Sequence, residues 1–319
     1  MQERLTILAT RVSSTADYRT SINSLLPFSE AEYVPLKPGP GPGDIRIFSS
    51  QKVSVLGAEI HTPSVMTSIT HGDRAVFWFV ERACEGRVNG RDICRDSLYV
   101  ARQQDGLYIT GGARRAVAIA IPRIVLVETI AALRGGEPEE VMLDGMELRL
   151  SPEVGARFRS GVSALLVSGI EAKLSGEVPF NLPDPSDAIL GLVTDAYLWA
   201  TPAQMRDERA VEPERIVRRA EERFFQSSAQ PASPADLCAA AGVSQSTLHR
   251  AFRSVCDLSP LDYFYKRRLC KARRLLLHAD KRRGEVKRAA LEVGLTEFGR
   301  FSVEYRALFG ESPSATLRA

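Results

Sequence analysis

The densest grouping of chemically capable side chains lies between residues 74 and 115, where eight arginines stand against five acids. Arginine suits phosphate and carboxylate groups, because its planar fork donates two parallel hydrogen bonds and its face stacks on flat rings. Asn89 and Gly90 read as a two-residue type I′ hairpin turn, which needs positive φ at both central residues. With that turn Val88 faces Arg91, Gly86 faces Ile93, Cys84 faces Arg95 and Arg82 faces Ser97. Side chains alternate along a strand, so Arg82, Arg91 and Arg95 are expected to share one face. Arg87 and Asp92 oppose each other on the other face as a surface ion pair. The three-arginine face, with Trp78 and the adjacent Arg114 and Arg115, is predicted to hold a phosphorylated ligand with a stackable base. A merely solvated arginine face is the plainer expectation for the same residues.

Other chemistries are poorly supplied. Cysteines 84, 94, 238, 256 and 270 contain no CxxC pair and read as reduced thiols, neither a disulfide frame nor a zinc site. No Ser/His/Asp or Cys/His spacing stands out, and Cys84 and Cys94 have no activating partner in the sequence. No catalytic residue and no metal ligand is assigned, and the chain is not expected to be an enzyme. Apolar residues make 44% and charged residues 25%, values of a globular protein that exclude a largely disordered chain. The apolar runs fall short of the roughly 18 residues that a membrane span needs. The N-terminus has no basic-then-apolar signal segment, so a cytoplasmic protein without membrane association is expected.

These residues need elements to position them. A chain of 319 residues suggests two domains. Residues 1–35 are mixed and are expected to begin with a short helix. Alternating proline and glycine over 38–43 predicts an extended loop. Seven β-rich runs follow, at 45–49, 53–60, 65–70, 75–80, 97–101, 107–110 and 116–121, and they suggest a sandwich or barrel. After Pro122 the pattern turns helical. One stripe joins Val154, Phe158, Val162, Leu165, Leu166 and Ile170, and a second joins Ile189, Leu190, Val193 and Tyr197. The two helices read as a hairpin at 151–205 whose stripe is either core or a dimer interface.

Charge divides the chain. Residues 1–205 carry net −4 and residues 206–319 carry net +7, which points to a polyanionic partner for the C-terminal third, nucleic acid first. A helix is predicted from Pro213 to about Gln226. Ser233, Pro234 and Asp236 form a helix start that recurs at Ser259, Pro260 and Asp262. Between them a short helix reaches Gly242, and Ser244 caps a second helix with Leu248, Phe252 and Val255 facing inward. This is a helix-turn-helix layout. A second copy turns at Gly294 and runs past Phe301 and Tyr305. The joining helix, from Pro260 to about Leu277, spans under 30 Å at about 1.5 Å per residue. With its flanking helices it can hold two recognition helices one DNA turn apart, about 34 Å.

Residues 212–319 resemble the DNA-binding domain of the AraC/XylS transcriptional regulators. The matching residues are Ser259, Pro260, Arg268, Leu269, Ala272, Arg273, Leu275, Leu276, Ala289, Gly294, Leu295, Phe301, Ser302, Tyr305, Phe309, Gly310, Ser312 and Pro313. The resemblance implies two units reading adjacent segments of major groove. Its base-contacting positions fall on Ser246, His249, Arg250 and Arg253, and in the second unit on Phe298, Gly299, Ser302 and Val303. The second set departs from the usual polar residues, so that unit is expected to contact phosphate through Arg300 and Arg306. Lys266, Arg267, Lys271, Arg273, Arg274, Arg282 and Arg283 are further phosphate candidates, unless Arg273 and Arg274 pair with acids inside the fold. The tail also departs from the family pattern at Ser314 to Arg318.

The resemblance further implies a cupin-like β-barrel over 1–150, a dimerising helical hairpin and a DNA reader over 212–319, an α+β protein overall. The implied partners are double-stranded DNA, a second copy of the chain, RNA polymerase and a small-molecule effector, with activation the expected sign. Metal cupins use a His-x-His pair, whereas this domain has only His61 and His71, so no metal cofactor is expected. Arg91 and Arg95 also resemble the RxxxR motif of cyclic di-GMP receptors. That spacing occurs four times in this arginine-rich chain, so position and facing favour the ligand more than occurrence does. The alternatives are a cupin-type enzyme fused to a DNA-binding domain and a constitutive regulator whose barrel only dimerises.

Overall fold

A computed structural model describes residues 6–11, 19, 22–23, 29–39, 41–70, 72–82, 84–101, 106–143, 146–174, 185–204, 213–226 and 232–318. The strand Arg74–Val80 explains the architecture of the N-terminal part, because its apolar run is continuous rather than alternating. Ala75, Phe77 and Phe79 point into one core, while Val76, Trp78 and Val80 point into another. A strand buried on both faces needs a layer on each side.

The strands are β1 (Thr6–Arg11), β2 (Ser29–Pro35), β3 (Pro42–Ser49), β4 (Ser54–Ile60), β5 (Ser64–Thr70), β6 (Arg74–Val80), β7 (Gly86–Val88), β8 (Arg91–Asp92), β9 (Ser97–Val100), β10 (Leu107–Gly111), β11 (Arg114–Pro122), β12 (Met146–Arg149) and β13 (Thr201–Gln204). They form two antiparallel sheets, in the orders β1-β3-β4-β11-β6-β9-β12-β13 and β2-β5-β10-β7-β8. The β-rich runs read from the sequence coincide with β3 to β6 and β9 to β11. The expected opening helix is replaced by β1, which finds β3 as its partner. The proline–glycine stretch is part loop and part strand, since Pro42 enters β3 at a register irregularity opposite Ile60, where a missing N–H is tolerated.

Helices α1 (Arg123–Arg134), α2 (Pro152–Leu174) and α3 (Ser186–Trp199) cover the outer face of the larger sheet. Phe158, Val162, Leu166, Ile189, Val193 and Tyr197, the stripes of the expected hairpin, are buried in this core. Strands β12 and β13 extend the same sheet beyond its facing partner. The N-terminal part is an α+β arrangement of two antiparallel sheets, and among the described residues no strand pair joins the two, so they are not closed into the expected cupin-like barrel. The larger sheet spreads by recruiting β12 and β13 where a barrel would curl to close.

The remaining helices are α4 (Pro213–Gln226), α5 (Pro234–Ala241), α6 (Gln245–Cys256), α7 (Pro260–Leu277), α8 (Glu285–Glu292), α9 (Phe298–Phe309) and α10 (Pro313–Arg318). Val34, Val65 and Tyr108 on the outside of the smaller sheet share a core with α4, α6 and α7. A separate core joins α7, α8 and α9 through Leu269, Leu276, Ala290, Phe301 and Tyr305.

Candidate nucleic-acid interface

Local chemistry builds the first helix-turn-helix unit. Ser233 accepts from the Asp236 amide while Asp236 accepts from the Ser233 amide at 2.8 Å, a reciprocal cap at the start of α5. Gly242 ends α5 in the left-handed region at φ 67°, where a side chain would be strained. Ser244 then caps α6 through the Thr247 amide at 3.3 Å. Leu248, Ala251, Phe252, Val255 and Cys256 bury one face of α6. Ser246, Arg250 and Arg253 are exposed on the other, with His249 half-buried beside them.

Helix α7, capped by Ser259 with Pro260 in its first turn, has 18 residues and is about 27 Å long. The second unit repeats the design: α8, a left-handed Gly294 at φ 73°, and α9. Phe301, Tyr305 and Leu308 are buried, and they match Leu248, Phe252 and Val255 position for position. Phe298, Gly299, Ser302, Val303 and Arg306 are exposed. Arg300 is also exposed, with its guanidinium 5.3 Å over the Tyr265 ring of α7. The tail forms α10, whose Thr316 hydroxyl bonds the Tyr305 hydroxyl at 2.8 Å.

Several expected phosphate contacts are spent inside the protein. Arg273 pairs with Glu311 at 2.6 Å and Arg274 with Glu32 at 3.0 Å. Arg267 pairs with Glu221 at 3.1 Å. Burial works against the Arg267 charge, and Tyr263 and Glu221 beside it more than reverse that, so its pKa is raised. Lys266 is half-buried, and Lys271, Arg282 and Arg283 are exposed.

This pairing docks the C-terminal domain on the N-terminal domain. Glu221 accepts from the hydroxyls of Tyr108, on β10, and of Tyr263, the latter at 2.6 Å. Burial, reinforced by the Glu221 charge, pushes both phenols well above the ordinary tyrosine pKa. Glu32 also pairs with Arg19, whose pKa falls to about 10 through burial and the neighbouring Arg274 and Arg267. At the last turn of α6, the Thr110 hydroxyl donates to the Val255 carbonyl. Arg87 donates there to the carbonyls of Arg253 and Ser254, at 3.4 and 3.3 Å. These contacts between distant segments carry no local sequence signal.

The β7–β8 hairpin has the expected register, Val88 facing Arg91 and Arg87 facing Asp92, with Asn89 at φ 51° and Gly90 at φ 80°. Its pairing ends at the Ile93 amide bonding the Gly86 carbonyl. Arg95 sits in the following turn, where its carbonyl accepts from Arg159, and Ser97 pairs with Arg149 in the other sheet. Arg82, Arg91 and Arg95 are exposed but do not form one strand face. Trp78 is buried between the sheets against Tyr99, so it offers no surface for stacking.

Arg82, Arg114 and Arg115 do converge, with His61, Glu59 and Cys84, on an open pocket of about 240 Å³. Arg114 is 4% exposed and donates to the carbonyls of Gly111 and Gly112 and to Ser64. Arg115 is tied to Glu59 at 3.1 Å and Glu81 at 3.5 Å. Ile60 also lines a cavity of about 60 Å³ between the sheets, walled by Leu56, Met66, Val76, Trp78 and Ile109. His71 lies outside the described residues.

Two helix-turn-helix units on one connecting helix, each with an exposed second helix, define a bipartite DNA-binding domain. Residues 237–319 match the helix-turn-helix domain family. A probable thc operon regulatory protein of Rhodococcus erythropolis is 31% identical over 207 residues. That match covers 63% of this chain and spans 60% of the relative's length. The crystal structure of the AraC-like transcriptional activator CuxR is 14% identical, with 90% of this chain and 99% of that chain covered and a TM-score of 0.39. A probable AraC family regulator from Rhodopseudomonas palustris is 31% identical, with 32% of this chain and 94% of that chain covered and a TM-score of 0.28. Through residues 237–319 the chain carries a helix-turn-helix domain, and it is similar to an operon regulatory protein over about 60% of that protein's length.

Proposed function

We propose that the protein regulates transcription by binding double-stranded DNA through α6 and α9, in response to a small ligand of its N-terminal domain. The observation that carries the reading is the matched pair of recognition helices. Leu248, Phe252 and Val255 of α6 and Phe301, Tyr305 and Leu308 of α9 are buried at matching positions, and α6 exposes Ser246, Arg250 and Arg253 with His249 half-buried beside them. Arginine grips guanine O6 and N7 with paired bonds, and histidine donates to a base acceptor. The name of the R. erythropolis relative, an operon regulatory protein, supports the same role. The test is selection of random DNA duplexes on the purified full chain. Enrichment of a two-segment site supports the reading, and binding indifferent to sequence overturns it.

An effector is proposed for two reasons. The Arg82, Arg114 and Arg115 pocket offers positive charge at the sandwich surface. The hairpin carrying Arg91 touches the last turn of α6 through Arg87 and through Ser254 against the Gly90 carbonyl at 3.5 Å. A ligand on that hairpin that prefers one arrangement of α6 shifts DNA affinity by its difference in affinity for the two. Cyclic di-GMP, named by the Arg91 and Arg95 spacing, is the first ligand to try by calorimetry. No heat, or unchanged binding by the Arg91→Ala/Arg95→Ala variant, removes it and leaves the DNA reading intact. A homodimer contacting RNA polymerase in the cytoplasm completes the proposal. No described helix is long and apolar enough to cross a membrane.

A further inference from the structure

Helices α6 and α9 have the same length, and the buried Leu248, Phe252 and Val255 of α6 align with the buried Phe301, Tyr305 and Leu308 of α9, which sets the correspondence of the other positions. Ser246 corresponds to Gly299, His249 to Ser302, Arg250 to Val303 and Arg253 to Arg306. The first helix therefore offers a donor at all four positions, and the second only at Ser302 and Arg306. The Ser302 hydroxyl already donates to its own helix, to the Phe298 carbonyl at 3.0 Å. Arg300, outside these four positions, has its guanidinium 5.3 Å over the Tyr265 ring.

What α9 offers instead is apolar. Val303 is 69% exposed and Phe298 38% exposed, with the Lys287 ammonium 5.7 Å from the Phe298 ring centre. Neither Val303 nor Gly299 helps the helix. An exposed valine loses rotamer freedom without burial in return, and a helical glycine costs about 1 kcal/mol relative to alanine. A Cβ placed on Gly299 would meet nothing within 4 Å, so the fold does not require glycine there. Two residues unfavourable for the helix, adjacent on the face that corresponds to the base-reading face of α6, are explained by what that face meets.

In the major groove one base presents an apolar group, the C5 methyl of thymine. Valine has no donor or acceptor for the other base edges, and burying it against them leaves their polar groups unpaired. Glycine at 299 removes the side chain that would hold the helix away from the groove floor. We propose that the second unit reads thymine, with Val303 packed on its methyl group, Phe298 flanking it and Gly299 permitting the close approach. The DNA site then has two dissimilar segments, one read by hydrogen bonds from α6 and one read by methyl contact from α9. The inference rests on the DNA-binding reading and deepens it.

The experiment starts from duplexes selected on the full chain. The segment belonging to α6 is the one whose base preference disappears in Arg250→Ala, and the other segment belongs to α9. Each thymine of the α9 segment is then replaced by deoxyuridine, which removes only the methyl group. At one or more positions the affinity is expected to fall about three- to fivefold, the worth of one buried methyl. Val303→Ala should lower affinity for the thymine duplex and erase the difference between thymine and deoxyuridine. Equal binding of every deoxyuridine duplex overturns the proposal, as does a thymine preference that survives Val303→Ala. A selected site with no preference in the α9 segment overturns it while leaving the DNA reading in place. Failure to select any site overturns both. If Val303→Ala binds all duplexes as wild type does but loses activation by RNA polymerase, the apolar face meets protein, and the proposal falls.

Discussion

Removing the Tyr108 hydroxyl as Tyr108→Phe tests whether the N-terminal and C-terminal domains are held as one body. The hydroxyl lies on β10 and donates to Glu221 of α4, which is 8% exposed. A hydrogen bond to a charged acceptor is worth about 1.5–3 kcal/mol. Glu221 keeps the Tyr263 hydroxyl and the Arg267 guanidinium, so the acceptor is not stranded and the lower half of that range applies. Glu221→Gln is more damaging, because it leaves a buried Arg267 short of countercharge, and breaking such a pair costs about 3–5 kcal/mol. Both tryptophans, Trp78 and Trp199, lie in the N-terminal domain, while most of the described helical residues lie in the C-terminal domain. In urea, tryptophan emission therefore follows the N-terminal domain alone, and helical circular dichroism follows both domains with the larger share from the C-terminal helices. Wild type is expected to show coincident transitions. Tyr108→Phe should separate them, and in a double-mutant cycle with Glu221→Gln the losses should fall short of additivity by about 1 kcal/mol or more. A Tyr108→Phe variant within about 0.5 kcal/mol of wild type with coincident transitions, or strictly additive losses, would refute the coupling.

Three further outcomes follow from the same geometry. Arg250→Ala should cost about 1–3 kcal/mol on a selected duplex and little on random DNA, as measured by fluorescence anisotropy; equal losses would make Arg250 a phosphate contact. Phe252→Ala removes a fully buried ring from the core shared by α4, α6 and α7, and should cost about 3–5 kcal/mol in chemical denaturation. Tyr108 and Tyr263 have folded-state pKa values above the unfolded value, so their stabilisation is complete below about pH 10 and is lost as pH rises beyond it. Phenolate absorbance should show two tyrosines that ionise only as the chain opens, and their early titration in a folded protein would contradict the buried network.

Local patterns were sufficient wherever one segment dictates its own conformation. The caps at Ser233, Ser244 and Ser259, the left-handed glycines 242 and 294, and the hairpin turn at Asn89 and Gly90 follow from the residue types alone, because each satisfies its own backbone. So do the inward faces of α6 and α9, from helical periodicity. Nothing local fixed what lay on the far side of each face. The stripe of α2 and α3 suited a dimer as well as a core, and only the larger sheet decided for the core. The arginines at 82, 91 and 95 alternate in sequence, yet the hairpin stops at Ile93, and Ser97 belongs to the other sheet. Arg267, Arg273 and Arg274 looked like phosphate contacts until Glu221, Glu311 and Glu32 were brought against them. A cation's role depends on which carboxylate lies within a few ångströms, and carboxylates distant in sequence are brought there only by the packing of the whole chain.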